Sequence, residues 1–293
     1  LSSDGRRVAV GSKDETAHIW DLSGTDPSTW RRYGTTLRHG GQVFSLSLSG
    51  DGRRLFTGSQ QPSYFRIWDI GGEDPSTWRL LRRLRTKLGR SIFSISVSGD
   101  GRLAATASED NTATIWDLSD QDPSQWRLLG TLEGHTDDVL SISLSSDGRR
   151  VAVGSKDETA HIWDLSGTDP STWRRYGTTL RHGGQVFSLS LSGDGRRLFT
   201  GSQQPSYFRI WDIGGEDPST WRLLRRLRTK LGRSIFSISV SGDGRLAATA
   251  SEDNTATIWD LSDQDPSQWR LLGTLEGHTD DVLSISLSSD GRR

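Results

Sequence analysis

Val139-Leu140-Ser141-Ile142-Ser143-Leu144, then Ser146-Asp147-Gly148, then Val151-Ala152-Val153-Gly154-Ser155 and Ala160-His161-Ile162-Trp163: these residues decide how the chain folds. The first run alternates apolar side chains with Ser, the period of two that gives a strand two different faces. Asp and Gly tolerate positive φ, so Ser146-Asp147-Gly148 reads as a tight hairpin. The two runs after it read as a second and a third strand. Beyond a loop at Asp169-Pro170, Trp173-Arg174-Arg175-Tyr176-Gly177-Thr178-Thr179-Leu180 supplies a fourth. No stretch sustains a helical period, so almost no helix is expected.

The same unit recurs outward in both directions. Asp-Gly pairs stand at Asp4-Gly5, Asp51-Gly52, Asp100-Gly101 and Asp147-Gly148. Ile-Trp-Asp occurs at residues 19–21, 67–69, 115–117, 162–164, 210–212 and 258–260, and Asp-Pro-Ser-x-Trp begins at Asp26, Asp74, Asp122, Asp169, Asp217 and Asp265. These two motifs use all 12 tryptophans. A longer identity encloses them: residues 1–143 return letter for letter as 144–286, and residues 287–293 repeat 1–7 once more. Natural duplications drift, because selection constrains packing chemistry rather than spelling. The copy is therefore either very recent or written.

Four antiparallel strands with Trp-Asp closing the third, recurring over the whole chain, resemble the WD-repeat β-propeller family. The resemblance implies an all-β propeller of four-stranded antiparallel blades, one domain over 1–293, with six blade equivalents in two identical three-blade units. The Asp-Pro-Ser-x-Trp insertion is similar to that of bacterial WD-repeat arrays. Three distinct blades copied without error are also similar to designed pseudo-symmetric propellers of the Cake and Scone kind. For a ring closed on itself, Val282–Ser288 is expected to pair with Val8–Ser12. One copy of the overlap at 1–7 and 287–293 is then displaced as a dangling end, unless the closed ring has more blades; three full units would make nine. Leu1 is no translation start, so residues are expected upstream.

Composition narrows the function. The formal net charge is −1, from 36 basic and 37 acidic residues, which gives no global attraction to nucleic acid or an anionic membrane. Cysteine is absent, which excludes disulfides and thiol chemistry, and no apolar run is long enough for a membrane helix. No secretory signal is visible.

The residues most open to a catalytic reading are His135, Ser155, Asp157 and Trp163. In the family that the chain resembles, Gly-His opens a blade, Ser-x-Asp follows the second strand and Trp lies on the third; Gly134-His135, Ser155-Lys156-Asp157 and Trp163 match. The resemblance implies a structural hydrogen-bond chain that satisfies buried polar groups, rather than a hydrolytic triad. In the second copy, His278 is expected to complete the set with Ser12, Asp14 and Trp20. The other blades depart from the pattern, one opening Arg38-His39-Gly40-Gly41 with Gln61 in place of Asp, the other lacking the His while keeping Ser108 and Asp110. Only one blade type in three is expected to form the network.

Arg79, Arg82, Arg83, Arg85, Lys87 and Arg90 crowd one outer strand and recur between Arg222 and Arg233. Such a cluster could meet phosphates, but the favoured reading is a charged edge that blocks strand addition and pairs with Glu133, Asp137 and Asp138. Asp120-Gln121-Asp122 hints at a calcium loop without its Gly and distal Glu. No metal, cofactor, nucleic acid or membrane is therefore expected. The expected function is a non-enzymatic scaffold, designed or symmetrised, capable of self-association into larger rings; the alternative is a bacterial interaction module taking peptide or protein on its loop face.

Overall fold

The computed structural model describes the chain except at residues 1, 3, 4, 25, 61, 62, 73, 87, 168, 204, 205, 216, 230, 289, 292 and 293. Among the described residues every regular element is a strand or a three-residue 3-10 turn. Two compact units emerge, 1–134 and 135–293. Their boundary falls in a loop between sheets, whereas the spelling repeats from residue 144, inside a strand; the phase of the spelled repeat has no structural meaning.

The first unit holds three sheets. They are β1 Arg7–Gly11, β2 Thr16–Asp21 and β3 Arg31–Arg38; then β4 Gln42–Leu48, β5 Arg54–Gln60, β6 Phe65–Asp69 and β7 Arg79–Leu84; then β8 Ile92–Val97, β9 Leu103–Ser108, β10 Ala113–Asp117 and β11 Arg127–Leu132. The second unit holds β12 Val139–Leu144, β13 Arg150–Ser155, β14 Thr159–Asp164, β15 Arg174–Arg175 and β16 Leu180–Arg181; then β17 Val186–Leu191, β18 Arg197–Ser202, β19 Phe208–Asp212 and β20 Arg222–Leu227; then β21 Ile235–Val240, β22 Leu246–Ser251, β23 Ala256–Asp260 and β24 Arg270–Leu275. In every sheet the neighbours in sequence are neighbours in space and antiparallel, except that β16 pairs with β14 and not with β15.

Two expectations need correction. The fourth strand over Trp173–Leu180 is broken into β15 and β16, both paired with β14. Gly177 lies between them at φ +81, and a Cβ there would stand 2.5 Å from the Trp221 ring of the next sheet. Tyr176 meets that ring edge-on at 5.3 Å, so packing takes precedence over the ladder. In β3 the same irregularity is absorbed by a register shift between Ala17 and Ile19.

The second correction concerns the ends. The sheet of β1 has three strands, and residues 282–288 belong to no sheet. Those residues instead run beside β21, where Ile285 N–H donates to Ser237 Oγ at 3.2 Å and Leu287 N–H to Ser239 Oγ at 2.8 Å. Described residues of both copies of the overlap are held by hydrogen bonds. Gly5 N–H donates to Ser2 O, and Gly291 N–H to Ser288 O, both at 2.9 Å, so each end forms its own turn in its own unit. Asp4, Arg292 and Arg293 lie outside the described residues.

Neighbouring sheets bury apolar faces against each other. Phe199, Phe208 and Ile210 pack with Ile235, Ile238 and Trp259, and the first unit repeats this with Phe56, Phe65 and Ile67 against Ile92, Ile95 and Trp116. Gly201 lets the sheets approach: a Cβ on it would meet Ile235 Cγ2 at 2.6 Å. The serines of the alternating first strands serve the same junction. Ser188 Oγ accepts from Ile238 N–H at 2.9 Å, Ser45 Oγ from Ile95 N–H at 2.9 Å and Ser143 Oγ from Leu191 N–H at 3.0 Å. The polar half of the alternation thus satisfies a neighbour's backbone.

Each Asp-Pro-Ser-x-Trp forms a 3-10 turn. Asp122 caps it by accepting Ser124 N–H at 2.8 Å, and Trp126 Nε1–H returns to Asp120 O at 2.9 Å. Trp126 is 2% exposed and lies beneath the Arg54 guanidinium of the neighbouring sheet, 5.2 Å from its ring. At Trp126 the insertion is a latch between sheets.

Candidate functional site

Asp157 gathers the residues around it. Its Oδ2 accepts from His135 Nδ1–H at 2.9 Å and from Thr136 N–H at 3.0 Å. Its Oδ1 accepts from Thr159 N–H at 3.0 Å and from the Thr159 hydroxyl at 2.6 Å. Burial alone would raise this carboxyl, but the donated hydrogen bonds outweigh it and hold Asp157 below the ordinary carboxylate value. Burial keeps His135 below the usual imidazole value despite the carboxylate beside it.

Ser155 belongs to this cluster without facing the histidine. Its hydroxyl, wholly buried, lies 3.0 and 2.8 Å from the backbone carbonyls of Asp137 and Asp138 and accepts from Asp157 N–H at 3.0 Å. A hydrolytic serine would instead donate to the free imidazole nitrogen. That nitrogen, His135 Nε2, is buried, and Ser155 donates to backbone carbonyls instead of to it. The His135 ring is stacked on His161, centres 4.0 Å apart and planes 14° from parallel. Burial, with His135 and Arg175 nearby, pushes His161 down to about 4. His161 was not singled out in the sequence; its alternation with Thr159 on the same strand face was the available signal.

Trp163 is half-buried and outside the network. Other sheets explain why. Trp68, Trp116, Trp211 and Trp259 donate Nε1–H to Thr57, Thr106, Thr200 and Thr249 at 3.0–3.2 Å. The corresponding place on β13 is Val153, which has no hydroxyl.

In the first unit, Ser12 Oγ accepts Asp14 N–H at 3.2 Å, and Asp14 Oδ1 accepts the Thr16 N–H and hydroxyl at 3.0 and 2.6 Å. Asp14 and Trp20 are exposed. His278, also exposed, belongs to the second unit.

The blade opening His39-Gly40 departs from the Gly-His pattern, yet it holds the more continuous chain of bonds. Trp68 Nε1–H donates to Thr57 Oγ1 at 3.2 Å, the Thr57 hydroxyl lies 2.8 Å from His39 Nε2, and His39 Nδ1 lies 2.9 Å from Leu37 O. Trp211, Thr200, His182 and Leu180 repeat it at 3.2, 2.8 and 3.0 Å. Burial, followed by Arg66 or Arg209, pushes both histidines down to about 4. The arginine takes the place of the aspartate: Arg66 donates to Ser59 Oγ at 2.6 Å and to His39 O at 2.5 Å. This chain of bonds differs from the Gly-His and Ser-x-Asp set expected of one blade type, since it holds no aspartate. The missed signal was Thr in mid-strand, in register with Arg66 across the ladder. Gln61, thought to occupy the aspartate position, lies outside the described residues.

Asp120 accepts Asp122 N–H at 2.8 Å, so the carboxylates of that loop are engaged in capping; among the described residues no group of three acidic or histidine side chains could hold a metal ion. Asp137 and Asp138 face Lys156 Nζ at 3.9 and 3.8 Å, and in the basic cluster Arg90 pairs with Glu109 at 3.8 Å. Lys87 lies outside the described residues. Among the described residues no helix is long and apolar enough to cross a membrane.

These sheets and their latches define a tandem-repeat protein with a β-propeller-like arrangement of antiparallel sheets. The chain belongs to the WD40 family: the family model described as WD domain, G-beta repeat, matches residues 1–21, 31–69, 78–117, 126–164, 174–212, 221–260 and 269–293. Each complete match takes the last strand of one sheet with the first three of the next, so six blade equivalents read as seven stretches with partial ends. No curated protein matches the chain.

Proposed function

We propose that the chain is a non-enzymatic scaffold whose sequence was designed or symmetrised for the fold itself. The supporting observation is Ser155: this serine beside the His135–Asp157 pair is wholly buried, with its oxygen engaged by backbone groups. Letter-for-letter copying supports the symmetrised origin, since a binding surface needs each contact only once. Ser155→Ala tests the reading. Loss of thermal stability with no change in hydrolysis of activated esters is expected; loss of ester hydrolysis at full stability would refute it.

A second reading, an interaction module, draws on the protein interactions that WD40 propellers typically mediate. Leu88 and Leu231 favour it, each 66% exposed at equivalent loop positions. Peptide-array binding abolished by Leu88→Ser with Leu231→Ser, at unchanged melting temperature, would support it.

A further inference from the structure

One corner of a sheet in each unit collects positive charge without a carboxylate to answer it. In the second unit, Arg209 on β19 stands directly opposite Arg226 on β20. The period of two places Tyr207 and Arg228 on the same face. The guanidinium carbons of Arg209, Arg226 and Arg228 lie 5.1, 5.9 and 5.1 Å from the centre of the Tyr207 ring. The first unit repeats the corner: Arg66 faces Arg83, and Arg66 and Arg85 lie 5.0 and 5.7 Å from the Tyr64 ring.

Like charges directly opposite each other destabilise a sheet. Among the described residues, no carboxylate lies within ion-pair distance of Arg209, Arg226 or Arg228. Arg209 is 4% exposed, fixed by bonds to Ser202 Oγ and His182 O, and remains a cation at neutral pH although burial and Arg226 lower it to about 10. At the same end of the sheet, the hydroxyls of Ser206 and Thr229 are buried without partners. Arg226 and Arg228 are exposed. The corner thus has a fixed cationic floor and two cationic arms open to solvent.

We propose that this corner, once in each unit, binds a tetrahedral oxyanion: inorganic phosphate or a phosphate monoester. Guanidinium forks meet phosphate oxygens in pairs, and three of them suit a compact dianion better than a single carboxylate. Guanidiniums crowd the Tyr207 ring, which leaves no platform for a stacked base and disfavours a nucleic-acid strand.

Titration calorimetry of the full chain with inorganic phosphate and with a phosphoserine peptide, at constant ionic strength, tests this. Two sites per chain are expected, shared by both ligands. Arg226→Ala should leave one site, and Arg83→Ala with Arg226→Ala should weaken binding at least tenfold; Arg85→Ala with Arg228→Ala gives an independent second variant. A peptide bound tenfold tighter than phosphate marks the monoester as the source of the anion, and equal affinities mark the free ion; both support the site. Undetectable phosphate binding, binding retained in both double variants, or binding of a DNA strand without binding of phosphate would overturn it.

Discussion

Asp157 and Asp14 are the same residue of the repeat in different surroundings. Asp157 accepts four hydrogen bonds, two of them from His135 and Thr136, whereas Asp14 accepts from Thr16, with the Ser12 hydroxyl beside it. Asp157→Ala strands a buried imidazole N–H and is expected to cost about 2–3 kcal/mol. Asp14→Ala should cost clearly less. Urea midpoints of the two variants check this, and equal losses would show that Asp14 also acquires a histidine partner, as the closed-ring expectation for His278 requires. A second prediction concerns pH. His39, His161 and His182 are depressed to about 4 in the folded chain, from an ordinary value of 6.5. Between those values the unfolded chain binds protons that the folded one refuses. The stability tied to these residues is therefore full above pH 6.5, falls as pH drops toward 4 and levels off below. Each contributes a slope of about 1.4 kcal/mol per pH unit inside the window. Urea midpoints between pH 7.5 and 4.5 should show the fall, and His39→Gln with His182→Gln should flatten it.

At the scale of strands and loops, the junction between sheets is the sensitive part. Gly201→Ala forces a methyl to within 2.6 Å of Ile235 Cγ2 and is expected to cost about 1–3 kcal/mol. Gly58→Ala meets Ile92 in the same way and should cost the same. Combining Gly201→Ala with Ile235→Ala should show positive coupling in a double-mutant cycle, because the second change removes the obstructing methyl; strict additivity would mean that the backbone moves instead. Strand positions were legible from sequence because alternation and Asp-Gly turns are local signals. The break between β15 and β16 was not, since Gly177 answers to Trp221 on another sheet. The same applies to the site. Gly-His and Ser-x-Asp are contiguous spellings and located His135, Ser155 and Asp157, but the Trp–Thr–His chain depends on which residues oppose each other across a ladder. Val153 in place of Thr is a small change of spelling that removes Trp163 from its network.

For the molecule as a whole, stability in an array of repeats is a sum of units and nearest-neighbour junctions. The junction terms here are concrete: Phe–Ile–Trp clusters, serine bonds to a neighbour's backbone, and arginine over tryptophan. A fragment of residues 1–143 keeps the junctions inside the first unit. It also presents β1 at the edge of a three-stranded sheet, and at its other end most of Val139–Leu144 without β13. An unpaired edge recruits another strand, and the two ends belong to consecutive parts of one repeating pattern. The fragment is therefore expected to associate into closed assemblies of its own copies, two for six blades or three for nine. Native mass spectrometry of the fragment separates these outcomes by mass, with the intact 32.4 kDa chain as reference. Dimers would make six the preferred number and trimers nine, while a stable, well-folded monomer would show that one unit needs no neighbour and that the junctions contribute less than their packing implies.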